Sequence, residues 1–380
     1  MIFSHISDTH LGLAQYGSEE REQDVYLAFN EAVDTSISDH VDFVIFAGDI
    51  FHVPSPDGTA VVQMANALKR LKQSNIDSFF ILGEHDISRI RTTPIPYVYH
   101  NLGFSRYIGQ GEPIEYRDVL LCGFDKMRKG EIPRFDEKFK EANAAAKSHA
   151  GHRILAMHQG VTEFDKFAGE LLTTDLPPDF TYYAMGHLHD HDVREFGHLS
   201  GPVAYPGSTE ITTSEGVKEA AKGFIEVDVS SQEAKTNWVK LDTRPQHSYR
   251  VSYDEIAPSM DEIVSKMGGH QRKPVVELRI RGDGIESELI QAQVSRLDEL
   301  ALRCFWRIVS KDEPEASVLP ERPSSIDDEL LRLSTSATGS EQIANFAIRG
   351  LLPLLSSDQI KEASEAIMED FEKFRREKQK

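Results

Sequence analysis

An α/β fold built on two sheets, with a small α+β addition and C-terminal helices, is what this 380-residue sequence predicts. Three observations carry the prediction. Short apolar runs alternate with helical patterns through the first half, and a strand-rich stretch follows them. Near residues 243–246 the pattern resets into a compact strand and helix alternation, which ends at a segment rich in Pro, Glu and Ser.

Taken in order, residues 2–6 read as a strand, 20–36 as a helix, 43–47 as a strand, 59–71 as a helix and 78–82 as a strand. Further strands are expected at 119–123, 154–157 and 182–185. The β-rich run at 203–205, 223–229 and 237–241 predicts a second sheet packed on the first. The small unit then reads as strand 248–253, helix 260–267, strand 275–280, helix 286–300 and strand 304–309. The expected organisation is a main domain over 1–245, a small α+β domain over 246–310, a linker over 311–324 and a helical region over 325–380. Within the last, Ile360, Ala363, Ile367, Phe371 and Phe374 form one apolar stripe, the pattern of a helix that packs on its own chain or on a partner.

Composition narrows the function classes. Two cysteines, Cys122 and Cys304, lie far apart without metal-like spacing, and the start MIFSHISDTH has no basic leader region or long apolar stretch. An intracellular, reducing compartment is expected, with no membrane span. The formal charge of -20 argues against broad nonspecific affinity for nucleic acid, which comes from cationic side chains displacing counterions. Contact with DNA would have to be local, at Lys126, Arg128 and Lys129, at 271–273 with Arg279 and Arg281, or at the tail 375–380, although any one of these by itself reads more readily as a solvated face.

Nearly every expected strand of the main domain ends in a residue type that binds metals. The first leads into Asp8-x-His10, the second into Gly48-Asp49-x-x-His52, and the third into Gly83-Glu84-His85-Asp86. Later strands lead into His158 and into Gly186-His187-x-His189. A histidine at one strand end is ordinarily structural, but five strand ends in order point to one site at the carboxyl edge of the sheets, where α/β proteins place their chemistry. Mixed imidazole and carboxylate donors suit Mn, Fe, Zn or Ni, whereas Mg and Ca favour oxygen alone.

These ordered motifs resemble those of the calcineurin-like dinuclear metallophosphoesterases. SDTHLGLAQYGSEEREQDVYLAF at 7–29, MHQG at 157–160, AMGHLHD at 184–190 and AYPGSTE at 204–210 are similar, more narrowly, to the meiotic-recombination-eleven nucleases of double-strand-break repair, whose bacterial relatives are the SbcD proteins. The resemblance implies a two-sheet metallophosphoesterase sandwich with a capping, DNA-binding domain over 246–310 and an ATPase-binding region over 325–380. It implies two divalent metal ions, manganese above all. One would be held by Asp8, His10 and His189, the other by Glu84, His158 and His187, with Asp49 bridging. His85 and His52 would face the substrate, His85 orienting the scissile phosphate or protonating the leaving 3'-oxygen, and Asp86 would fix a neighbouring imidazole. The implied activity is 3'-to-5' exonuclease with single-strand or hairpin endonuclease, in a homodimer that partners an ATPase of the Rad-fifty or SbcC type.

The sequence departs from the family pattern at two positions: Glu84 stands where Asn is usual, and Ile211 where Arg usually follows the Glu of the YPGS-x-Glu stretch. His191 is an additional imidazole expected in a solvated loop. Two rival readings share the ligands. A phosphoesterase of small molecules or nucleotides would not need residues beyond 245, and a scaffold subunit could keep the fold while Glu84 costs it turnover.

Overall fold

The computed structural model describes residues 1–88, 93–212, 215–267 and 269–309, and beyond these 330, 331, 334, 335, 340–352, 364, 367 and 368. Met1–Val309 and Ser310–Lys380 form two compact units. Among the described residues no helix is long and apolar enough to cross a membrane.

The first sheet begins with β1 (Ile2–Ile6), β2 (Phe43–Ala47) and β3 (Asp77–Ile81), linked through α1 (Glu19–Ser38) and α2 (Gly58–Gln73). Both faces of these strands are covered, so nearly unbroken apolar runs such as FVIFA suit them. Alternate residues then serve different cores. Val44, Phe46 and Phe80 pack against Val25, Phe29, Met64 and Leu68 of the two helices. Phe3, Phe43, Ile45, Phe79 and Ile81 point the other way and meet Leu121, Ile154, Ala156 and Tyr182 of the second sheet. Ser18 caps α1 by accepting from Arg21 N, and Asp57 caps α2 by accepting from Ala60 N.

After α3 (Tyr97–Asn101) and β4 (Arg106–Tyr107), the second sheet is built from β5 (Ile114–Tyr116), β6 (Val119–Phe124), β7 (His152–His158), β8 (Tyr182–Gly186), β9 (Asp192–Arg194) and β10 (Val203–Tyr205). Its order is β5-β6-β7-β8-β10-β9, with β6, β7, β8 and β10 parallel. Helix α4 (Asp136–Ser148) covers its outer face through Phe139, Ala142 and Ala146.

Here the structure corrects one expectation. Of the β-rich run, only β10 joins the second sheet; β11 (Gly223–Asp228) and β12 (Lys235–Lys240) return to the first, whose order is β12-β11-β1-β2-β3-β4. β11 lies antiparallel to β1, with Phe3 opposite Val227, and so closes the backbone edge that β1 leaves open on the side away from β2.

β13 (Gln246–Ser252), α5 (Ile256–Met267), β14 (Val275–Arg281), α6 (Ser287–Val294) and β15 (Arg303–Ile308) form a parallel three-stranded sheet with its own core. That core gathers Val251, Met260, Ile263, Val276, Leu278, Ile290 and Leu297. Arg244 ties this part to α1: its guanidinium donates to Asp24 at 2.5 and 3.0 Å and to the Lys273 carbonyl at 2.8 Å. In the second unit α7 (Glu341–Asn345) runs into a π-helical turn, Phe346–Leu351. The expected linker 311–324 lies outside the described residues, as do Ile360, Ala363, Phe371 and Phe374 of the stripe; Ile367 is helical and exposed.

Candidate metal centre

The carboxyl ends of β1, β2, β3, β7 and β8 converge, and the chain turns sharply at each of them. Asp8, His10, Asp49 and His187 all have positive φ, at 52°, 42°, 48° and 95°. Non-glycine residues adopt this region at a cost, and their clustering marks a place where side-chain direction overrides backbone preference. Gly48 and Gly83 make the approach possible. A Cβ at Gly48 would lie 2.4 Å from His158 Nδ1, and one at Gly83 would lie 2.1 Å from Asp49 Oδ1.

Asp49 stands at the middle. Its Oδ1 accepts from His85 N at 2.8 Å, leaving Oδ2 3.9 Å from His10 Nε2 and 3.4 Å from His158 Nε2. On one side Asp8, His10 and His189 bring donor atoms together, with His10 Nε2 3.2 Å from His189 Nε2 and Asp8 Oδ1 3.8 Å from the latter. On the other side are Glu84, His158 and His187, with Glu84 Oε2 3.0 Å from His187 Nδ1 and 3.9 Å from His158 Nε2. Imidazole nitrogens and carboxylate oxygens aimed at common points are the donor set of a first-row divalent ion. The residues fit a metal pair on a further ground: His158 Nε2 is buried without a hydrogen-bond partner, its Nδ1 being spent on the Ala47 carbonyl at 2.8 Å.

The electrostatics agree. Burial would lower the pKa of His158, but Asp49, Asp8 and Glu84 raise it to about 10, so the carboxylates draw a proton to a place that suits a cation. Burial also opposes ionisation of Asp49, yet His158, His10 and His85 hold it well below the usual carboxylate range. Burial, reinforced by His189, His85 and His52, keeps His10 far below its ordinary value and therefore neutral, as a ligand must be.

His52 and His85 stack beside this cluster, with ring centroids 5.4 Å apart, and His85 Nδ1 donates to the His52 carbonyl at 2.7 Å. Their nitrogens also come within reach of His10. Asp86 is buried and accepts from the backbone N–H groups of Ile50, Phe51 and Gly83 at 3.2, 3.0 and 3.0 Å. It touches no imidazole among these bonds; it fixes instead the two loops that carry Asp49 and Glu84.

Sequence reasoning missed Glu215 and Thr212. His189 Nδ1 lies 3.0 Å from Thr212 Oγ1 and 3.5 Å from Glu215 Oε2, which sets the direction of the ring. His191 is exposed but anchored, donating from Nδ1 to the Tyr205 carbonyl at 3.0 Å and stacking on Trp238. At the departure Ile211, the residue is buried and its carbonyl accepts from Arg21, whose guanidinium pairs with Glu210 at 3.2 Å. Of the basic spots, Lys126 is largely buried and ion-paired, and Arg272 and Arg279 are paired with acids; Arg281 is exposed, and the tail 375–380 lies outside the described residues.

Comparison with known proteins was made against this geometry. The family model described as calcineurin-like phosphoesterase matches residues 1–191. The chain is similar to the DNA double-strand break repair protein Mre11 of Thermoplasma acidophilum, 31% identical over 93% of this chain and 94% of that protein. It is likewise similar to the Mre11 protein of Saccharolobus solfataricus, 29% identical over 94% of this chain and 95% of that protein.

Proposed function

Because this chain belongs to the calcineurin-like phosphoesterase family and to its Mre11 branch, we propose that it is a metal-dependent nuclease that cuts DNA at double-strand breaks. The observation that carries the reading is Asp49 Oδ2, set between His10 and His158 so that two donor clusters share one carboxylate. The ion is manganese, and the cleavage is 3'-to-5' exonucleolytic with endonucleolytic cutting of single strands and hairpins. Residues 1–245 hold the chemistry, 246–310 touch DNA, and 325–380 bind an ATPase partner of the Rad50 or SbcC kind, in a homodimer.

Asp8, His10 and His189 would hold one ion, Glu84, His158 and His187 the other, and Asp49 both. Divalent ions bound there would supply the positive charge that polarises a phosphodiester and acidifies water. The protein does the rest. Asp49 fixes the spacing of the two clusters, and the Asp86 carboxylate locks the loops that deliver Asp49 and Glu84. His85, oriented by the His52 carbonyl through Nδ1, has Nε2 as the nitrogen that can pass a proton to the leaving 3'-oxygen. His52 supports it by stacking.

The test sets labelled duplex, single-stranded DNA and a small phosphodiester side by side, first with manganese and then with magnesium. Manganese-dependent cutting of both DNAs, lost in Asp49→Ala, is expected. Turnover of the small ester alone would replace this reading with a small-molecule phosphoesterase, and two bound metals with no cleavage would replace it with a scaffold.

A further inference from the structure

Lys126 occupies a position that neither the family motifs nor the roles assigned above explain. It follows β6 on a loop laced to the Glu84 loop at the backbone: Lys126 N donates to the Leu82 carbonyl at 2.9 Å, and Asp125 Oδ1 accepts from Leu82 N at 2.8 Å. The side chain is therefore not a wandering surface lysine, and it is only 11% exposed. Its Nζ lies 3.1 Å from Glu84 Oε2, 2.7 Å from Glu170 Oε2 and 3.3 Å from His187 Nε2. An ammonium has three N–H groups, and here each has an acceptor. Two of the three acceptors, Glu84 and His187, are residues read above as ligands of the second ion.

Glu170 gives the ammonium somewhere else to go. Its Oε2 is held by Gln159 Nε2 at 2.9 Å, an anchor outside the ligand set that does not involve Glu84. The carboxylate at residue 84 is what makes the arrangement possible, because an amide there would offer Lys126 no charge to pair with.

We propose that Lys126 is a built-in cation for the Glu84 subsite. Its ammonium holds Glu84 and His187 together until the second metal ion enters, then withdraws onto Glu170, so the second ion binds in competition with a tethered positive charge and more weakly than the first. Lys126 is thus a positioning residue, and the inference rests on the two-ion reading of the site.

Calorimetric titration of the full chain with manganese, with bound metal counted by mass spectrometry, tests it. Wild type should fill in two events of unequal affinity. Lys126→Met should tighten the weaker event by about tenfold or more and leave the tighter one alone, whereas on a Glu84→Asn background the same change should move it by less than about threefold. Equal tightening in both backgrounds would mean a diffuse charge effect, and no tightening would mean no competition; either overturns the proposal. Glu170→Gln, which keeps the lysine, guards against misfolding of Lys126→Met: it should weaken the second event, and an unchanged second event overturns the proposal as well. Uptake of a single ion by both wild type and Glu84→Asn would bring down the two-ion reading itself, a result distinct from two ions without coupling between Lys126 and Glu84.

Discussion

His85 and Glu215 represent two ways for a residue to serve a metal centre without being indispensable to it. His85 sits with its ring against His10 at 4.9 Å, beside the donors but assigned to the substrate. His85→Ala should keep metal content near that of the wild type while cleavage of labelled DNA falls by about a hundredfold, the scale of a lost general acid. Glu215 acts one step further out, through the orientation of His189. Glu215→Gln should weaken binding of one ion by about 10- to 100-fold at saturable cleavage, read by metal titration. If His85→Ala empties the site as Asp49→Ala does, the division between ligands and substrate groups is wrong. The proposed ligands were legible in the sequence because each stands at, or just beyond, the end of an apolar strand. Glu215 and Thr212 were not, because nothing in their own neighbourhoods marks them, and Lys126 stood out only as one of several basic spots; the contacts that define all three are made across the fold.

Among the elements, those with a strong period were readable and those without were not. The strands at residues 43–47 and 203–205 were read with the bounds they have, and α1 and α2 within two residues at each end. Helix α4 escaped because Phe139, Ala142 and Ala146 make a thin apolar face among charges, and β4, β5 and β9 are short and carry charged residues, unlike the equally short but wholly apolar and buried β10. Alternation also says that a segment is a strand without saying which neighbour it takes, hence the misplacement of β11 and β12. The loop after β6 carries a pH-sensitive contact. Asp125 is raised by burial from 3.8 to about 7, against the lowering effect of its bonds from Tyr107 and Leu82 N. A carboxyl whose folded pKa is raised contributes stability that is complete below about 4 and is lost as pH rises to about 7. Denaturant unfolding of wild type and Asp125→Asn should therefore show their difference changing across that window and flat above it; a constant difference from pH 4 to 7 refutes the assignment.

At the scale of the molecule, the candidate metal centre is shared between layers. Asp8, His10, Asp49 and Glu84 follow strands of the first sheet, while in the second sheet His158 ends β7 and His187 and His189 follow β8. The interior position of β1, flanked by β2 on one side and β11 on the other, governs what can be made of a partial chain. During synthesis the first strand emerges early and waits for a partner that lies beyond residue 222. A fragment spanning 1–191 would contain every proposed ligand and still expose a row of unpaired backbone groups along an apolar strand, a template for joining another chain edge to edge. Such a fragment should aggregate on sedimentation, whereas 1–309 should stay monodisperse; a well-behaved 1–191 would show that β11 is dispensable. A ribosome making this protein thus holds, for some thirty residues after the last proposed ligand has appeared, a nascent chain with its candidate site encoded and its sheet still open.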